Sequence, residues 1–187
     1  MRVVAGSKKG RELAAPKGRH TRPTLAKVKE AMFGMAQFDI EGARVLDLFA
    51  GSGALGIEAL SRGAEHAVFC DADRQAYSIV RGNIKRLGLE DSATVYCCDS
   101  IVLLAELARE GRGFDLVLLD PPYETELASH AIAALSELGL LNDCAILLCE
   151  HSKENPPVVP PVGFTAREPK KYGDCCVTYI TYHKSEA

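Results

Sequence analysis

The chain lacks any apolar run near the roughly 18 residues that a membrane span requires. Its first residues are basic, with no hydrophobic signal core. The expectation is a soluble, cytoplasmic protein. C-x-x-C spacing is also missing, and the seven cysteines (70, 97, 98, 144, 149, 175 and 176) are odd in number. They read as reduced, mostly buried thiols, with no zinc site and no metal. The histidines at 20, 66, 130, 151 and 183 are scattered, so none is assigned a ligand role. No internal repeat appears. What remains is a 187-residue chain, 47% apolar, which is enough for one good core but hardly for two.

Against that plain background one tetrapeptide stands out. Asp120-Pro121-Pro122-Tyr123 follows the apolar run 114–119. It puts a carboxylate, a stiff turn with outward carbonyls and an aromatic plane on one strand tip. Such a set suits a planar base held by its exocyclic amino group. Asp120 and a nearby carbonyl take the two N–H bonds, and Tyr123 stacks on the ring. The plainer reading is a strand that ends in a proline turn. What precedes the motif decides between them.

Residues 44–50 read as a buried strand, and Gly51-Ser52-Gly53-Ala54-Leu55-Gly56 follows directly, leading into a helix that stops at Gly63. Glycines here let the chain turn sharply and let a ligand approach the helix start. Asp71, twenty positions after Gly51, ends the next apolar run, where a carboxylate can hold ribose hydroxyls. The pattern fits a dinucleotide fingerprint, so NAD is one candidate cofactor. Asp47 argues against it, because a carboxylate so near would repel a pyrophosphate but welcome an ammonium or a sulfonium. Asp99, ending the third apolar run, could accept a bond from an adenine amino group. Asp47, Asp71, Asp99 and Asp120 thus end four successive strands along one sheet edge, where open α/β folds bind ligands. S-adenosylmethionine, cationic and adenosine-bearing, fits that edge better. Its expected contacts are Asp47, Phe49, Ala50, Gly51, Ser52, Gly53, Asp71, Ala72, Asp99 and Ser100; core packing accounts equally well for Phe49.

The net charge of −3 suggests no polyanion partner, but its distribution does. Residues 1–29 carry nine basic side chains (Arg2, Lys8, Lys9, Arg11, Lys17, Arg19, Arg22, Lys27, Lys29) against Glu12 alone, and the remainder carries thirteen against twenty-four acidic. That asymmetry marks a nucleic-acid-binding arm. Residues 2–6 and 10–14 look like two short strands about a Ser-Lys-Lys turn, a basic hairpin rather than a loose tail. Thr24 is placed to cap a helix with Leu25, Val28, Met32 and Met35 on one face. Further strand–helix units follow, with helices over 74–87, 101–109 and 126–138, a fifth strand over 144–150 and a late strand over 175–182. Parallel strands with crossover helices predict a doubly wound, Rossmann-like α/β fold. Residues 1–23 form a basic extension and 24–187 the main domain.

The sequence of residues 47–56 and the Asp120-Pro121-Pro122-Tyr123 motif resemble class I, S-adenosylmethionine-dependent amino-methyltransferases, and by themselves leave another amine, such as adenine N6 in DNA, open as the acceptor beside the NAD-binding oxidoreductase alternative. Arg2-Val3-Val4-Ala5-Gly6, Lys9-Gly10-Arg11, Arg22-Pro23-Thr24 and Lys29-Glu30-Ala31-Met32-Phe33 narrow this. They resemble the RsmD-type 16S ribosomal RNA guanine-N2 methyltransferases, over a stretch from Met1 to about Tyr182. The resemblance implies a seven-stranded, mostly parallel sheet with the last strand antiparallel. It also implies a guanine in small-subunit ribosomal RNA as target, Asp120, Pro121, Pro122 and Tyr123 as catalytic residues, and the Pro121 carbonyl beside Asp120 on the amine. Arg2, Lys8, Lys9, Arg11, Arg19, Arg22, Thr24, Lys170 and Lys171 are the expected RNA contacts. A monomer is expected. Asp71 departs from the glutamate commoner at the ribose position, and either carboxylate makes that bond.

Overall fold

β1 (Arg44–Asp47) is a short run of Val45 and Leu46 buried on both faces, as a central parallel strand must be. It pairs in parallel with β2 (His66–Cys70) on one side and β4 (Phe114–Leu119) on the other. β3 (Ala93–Tyr96) extends the sheet beyond β2, and β5 (Leu141–Ser152) lies beside β4. β8 (Cys175–Tyr182) runs antiparallel to β5 and carries two short partners, β6 (Phe164–Ala166) and β7 (Lys170–Tyr172). The computed structural model describes residues 1–15, 23–122, 126–160 and 162–184, and within these the strand order is β3-β2-β1-β4-β5-β8-β6, with β7 on β8. The sheet is therefore seven strands across, as expected. The eighth strand, β7, was not expected; it is a three-residue segment that shares the edge of β8 with β6.

Parallel strands need long crossovers, and helices supply them. α1 (Pro23–Met35), α2 (Ala54–Ser61) and α3 (Arg74–Leu87) cover one face, sharing a core that includes Val28, Met32, Phe33, Ile57 and Val80. α4 (Ser100–Arg109) and α5 (Leu127–Glu137) cover the other, around Leu103, Leu107, Ala131 and Leu135. The arrangement is doubly wound, as the alternating pattern predicted. Several boundaries differ: the first strand stops at Asp47 rather than at residue 50, the third at Tyr96 rather than Cys98, and the fifth runs longer at both ends, from Leu141 to Ser152.

The N-terminal segment forms a hairpin, although only Arg2 and Glu12 register as a bridge pair. Val3 N–H bonds the Arg11 carbonyl, Gly10 N–H the Val3 carbonyl and Leu13 N–H that of Met1. Val3 and Leu13 are buried in the same core as α1 and α2. Glu58 of α2 accepts N–H bonds from Val4 (2.8 Å) and Ala5 (2.9 Å), and Ser61 receives Lys8 N–H at its hydroxyl. The turn at Gly6 lies so close to the Ser61 carbonyl that no side chain would fit. The hairpin is thus bolted to α2 rather than held out as an arm.

Candidate active site

After β1 the chain turns through Phe49, Ala50, Gly51, Ser52 and Gly53 into α2. Gly51 (φ 55°) and Gly53 (φ 76°) take the left-handed conformation that favours glycine. Gly56 has a different reason: a Cβ there would run into the Phe69 ring of β2. The third glycine therefore lets α2 lie tight on the sheet. Gly51 N–H donates to Asp71 Oδ2 at 2.8 Å, and Asp73 N–H to Asp71 Oδ1 at 2.9 Å. Each carboxylate oxygen can accept a second bond, so Asp71 is tethered to the loop and still able to receive hydroxyls.

Two clefts open along the carboxyl ends of the strands, at the switch point where the chain order turns from β1–β2–β3 to β4–β5. Their volumes are about 710 and 590 Å³, and they share Phe49 and Asp120. The first is walled by Met1, Ala50, Gly51, Ser52, Lys29 and Glu150, the second by Leu48, Asp71, Ala72, Asp99, Ser100 and Pro122. Asp99 caps α4, its Oδ1 accepting from Ile101 N–H (2.8 Å) and Val102 N–H (3.3 Å), and Oδ2 stays out of the cap. Asp120 is half-buried, Pro121 buried and Pro122 exposed. Gly53 starts α2 beneath the loop and lines neither cleft.

Asp47 requires a correction. Its side chain is not on a cleft wall but 1% exposed beneath the loop, with Oδ2 accepting from Gly56 N–H at 2.9 Å. Burial is the main reason its carboxyl is pushed up to about 7; the Gly56 N–H opposes the shift and Asp71 adds to it. Among the described residues its Oδ1 finds no partner. Alternation along β1 turns this residue toward α2 instead of the ligand edge.

The basic residues divide in a way the sequence did not foresee. Lys29 is buried, its Nζ 2.9 Å from Glu58 Oε2 and 2.7 Å from the Arg2 carbonyl, so this charge serves the fold. Arg2 pairs with Glu12 at 2.7 Å on the surface. Lys9, Arg11, Lys170 and Lys171 are exposed, and Lys8 is half-buried. Arg19, Arg22 and Tyr123 lie outside the described residues, as does the Thr24 side chain. Lys170 is aligned with the cleft: it pairs with Val177, which pairs with Glu150.

Sequence reading missed Glu58, Asn83 and Glu150. Asn83, buried in α3, holds Ala14 through both its amide and carbonyl groups and donates to the Ser52 carbonyl at 2.8 Å. It thereby ties the hairpin to the glycine loop. For Glu58 the available signal was a lone carboxylate inside the apolar α2. Four of the seven thiols, at 70, 149, 175 and 176, are buried as expected, whereas Cys98 is half-buried and Cys97 and Cys144 are exposed; Cys149 and Cys175 are pushed up to about 12, chiefly by burial. Asp143, Cys144 and His183 bring ligand-type atoms within 4.8 Å of one another, a grouping the sequence reading did not contain. They sit on the surface where β5 begins, at the opposite end of the strand from Glu150.

The donor set fits S-adenosylmethionine better than a dinucleotide. Asp71, Asp99, Asp120 and Glu150 line the clefts, and the one cationic side chain among the described lining residues, Lys29, is committed to Glu58. A pyrophosphate would meet repulsion there, whereas a sulfonium would not.

Comparison with known proteins agrees in kind. Residues 1–181 match the family described as Conserved hypothetical protein 95. YlbH of Bacillus subtilis, provisionally named an rRNA methyltransferase, is 46% identical over 154 residues, covering 82% of this chain and 84% of that one. Ribosomal RNA small subunit methyltransferase D of Haemophilus influenzae is 32% identical over 182 residues, 97% of this chain and 93% of its own. The solved structure of yhhF from Escherichia coli, provisionally titled a methyltransferase, superposes with a TM-score of 0.85 at 29% identity, covering 98% of both chains.

Proposed function

This chain belongs to the Conserved hypothetical protein 95 family of RsmD-type methyltransferases, and we propose that it methylates the exocyclic N2 of a guanine in small-subunit ribosomal RNA. The observation that carries this reading is the place of Asp120, at the tip of β4 and on the shared wall of two clefts at the sheet's switch point. S-adenosylmethionine, when bound, supplies a methyl group made electrophilic by a cationic sulfonium. Asp71 would receive its ribose hydroxyls, and Leu48, Leu127, Asp99 and Ser100, which line the same cleft, would hold the adenine. Phe49 lines both clefts and would stand between the cofactor and the target base.

The remaining chemistry is positional. The guanine N2 lone pair is delocalised into the ring, so the nitrogen is a poor nucleophile. Asp120 and, by analogy, the Pro121 carbonyl take its two hydrogens and draw it toward tetrahedral geometry. So held, the lone pair would be aimed at the methyl group that the bound cofactor would supply to it, and Asp120 or water would take the proton that the nitrogen gives up. Alignment and fixed charge supply most of the acceleration. Tyr123 completes the site by stacking on a flipped base. Lys9, Arg11, Lys170 and Lys171 hold the phosphates. The cytoplasm as compartment and a monomer as working unit belong to the same reading; no helix of the described residues is long and apolar enough to cross a membrane.

Radiolabelled methyl transfer to small subunits lacking the modification, followed by mapping of the labelled nucleotide, tests it. Label on N2 of one guanine is expected, absent with Asp120→Ala although S-adenosylhomocysteine still binds. Full activity in that variant rules out the role of Asp120.

A further inference from the structure

Asp120 has a neighbour that the reaction as described does not use. β4 and β5 run parallel with Leu119 opposite Cys149, so Asp120, just past the end of β4, lies beside Glu150, which is still within β5 and paired with Val177. Adjacent strands lie about 4.8 Å apart. Leu119 and Cys149 face the core under α4 and α5, so alternation turns Asp120 and Glu150 to the α1 and α2 side. Both line the first cleft, beside Phe49 and Gly51. Glu150 is only 4% exposed. Its carboxylate has about four acceptor positions, so contacts within the protein do not exhaust it.

The Watson–Crick edge of guanine offers two donors in a row, N2–H and N1–H. If Asp120 takes the N2 hydrogens, N1–H is presented to the next acceptor along the rim. We infer that Glu150 accepts the N1–H of the target guanine and so makes this site selective for guanine over bases whose N1 is an acceptor. The inference rests on the guanine-N2 reading above and adds how the base is chosen. Adenine and 2-aminopurine both turn an N1 lone pair toward Glu150, and lone pair against carboxylate is repulsive. 2-Aminopurine is the informative case, because it keeps the exocyclic 2-amino group and changes the hydrogen-bonding sense of N1. A hydrogen-bonding site left facing the wrong partner discriminates far more strongly than an apolar pocket does.

The test uses the full-length protein and small subunits reconstituted with ribosomal RNA carrying guanosine or 2-aminopurine at the mapped nucleotide. The wild type is expected to favour guanosine in kcat/KM by at least about 100-fold. Glu150→Gln is expected to shrink that ratio to below about tenfold, because an amide donates to N1 of 2-aminopurine as readily as it accepts from N1–H. Glu150→Ala is expected to lower the guanosine rate and narrow the ratio as well. Affinity for S-adenosylhomocysteine stays within about twofold in both variants, which reports an intact fold and cofactor site. An unchanged ratio in Glu150→Gln, or a wild type that does not discriminate, overturns the inference while leaving guanine methylation standing. Loss of S-adenosylhomocysteine binding in both variants overturns it too, since Glu150 then holds the fold or the cofactor. A wild type that never labels guanine N2 sinks both readings together.

Discussion

Lys29 Nζ and Glu58 Oε2 lie 2.9 Å apart, with the two side chains 5% and 0% exposed. Around that pair the N-terminal hairpin is fastened to the catalytic domain, because Glu58 also accepts from Val4 N–H, Ala5 N–H and Arg62 Nε. Burial alone would raise the Glu58 carboxyl, but Lys29 and these donors hold it below its ordinary value. Glu58→Ala leaves a buried ammonium uncompensated and two backbone N–H groups without an acceptor. Such breakage destabilises by about 3–5 kcal/mol. A urea titration should show the drop, and hydrogen exchange should show Val4 and Ala5 losing protection. Because the folded carboxyl is lowered, its stabilisation is present above the ordinary value of 4.5 and is lost as pH falls through the folded one.

Asp47 titrates in the opposite sense. Its carboxyl rises from 3.8 to about 7, mainly through burial. The folded state therefore holds a proton that the unfolded chain releases, and the associated stability is full below pH 3.8 and fades as pH climbs through 7. Three pH units correspond to at most about 4 kcal/mol. Asp47→Asn keeps an oxygen for Gly56 N–H and removes the titration. The stability difference between wild type and variant should then shift toward the variant between about pH 4 and about pH 8. Parallel unfolding curves at the two pH values would refute the buried-carboxyl account.

Two glycines in helices should respond oppositely to alanine. Gly56 faces the fully buried Phe69 ring, and an added methyl must displace α2 from the sheet. Gly56→Ala should lower stability by about 1–3 kcal/mol and weaken S-adenosylhomocysteine binding as the loop moves with its helix. Gly82, exposed within α3, has open space on its side-chain face, where an added methyl would meet nothing within 4 Å. Gly82→Ala should raise stability by about 0.5–1 kcal/mol through helix propensity. Thermal unfolding and calorimetric titration read both effects.

What could be read from the residues was local periodicity and strand-tip chemistry. The glycine loop, Asp71, Asp99 and Asp120 all fell where the fold puts them, since each marks the end of an apolar run in sequence. Asp47 was misplaced because a side chain's face depends on sheet alternation, and the same apolar run fits either face. Lys29 was misread for a similar reason. A lysine in a basic segment looks like a solvated charge until the partner Glu58, 29 residues later, is brought beneath it. Glu150 needed the register of β4 with β5, which no residue-level pattern contains. β7 is too short to leave a periodic trace.

The same register makes a prediction about the nucleic-acid edge. Glu150 is opposite Val177 on β8, and Val177 is opposite Lys170 on β7, so Lys170 stands two strand spacings, on the order of 10 Å, from the cleft wall. Lys170 and Lys171 are both exposed, whereas Arg2 is already paired with Glu12. Removing the first two should therefore weaken RNA engagement more than removing Arg2. Lys170→Ala with Lys171→Ala should raise KM for small subunits, leave kcat and S-adenosylhomocysteine affinity unchanged, and flatten the log–log salt dependence by about 1–2 in slope. Arg2→Ala should alter that slope by less than half as much, because the charge it removes was partly neutralised. Equal effects from the two substitutions would show that the hairpin, and not the β7 edge, carries the phosphate contacts. A loss of cofactor affinity in the double variant would mean instead that β7 supports the cleft and does not face the RNA.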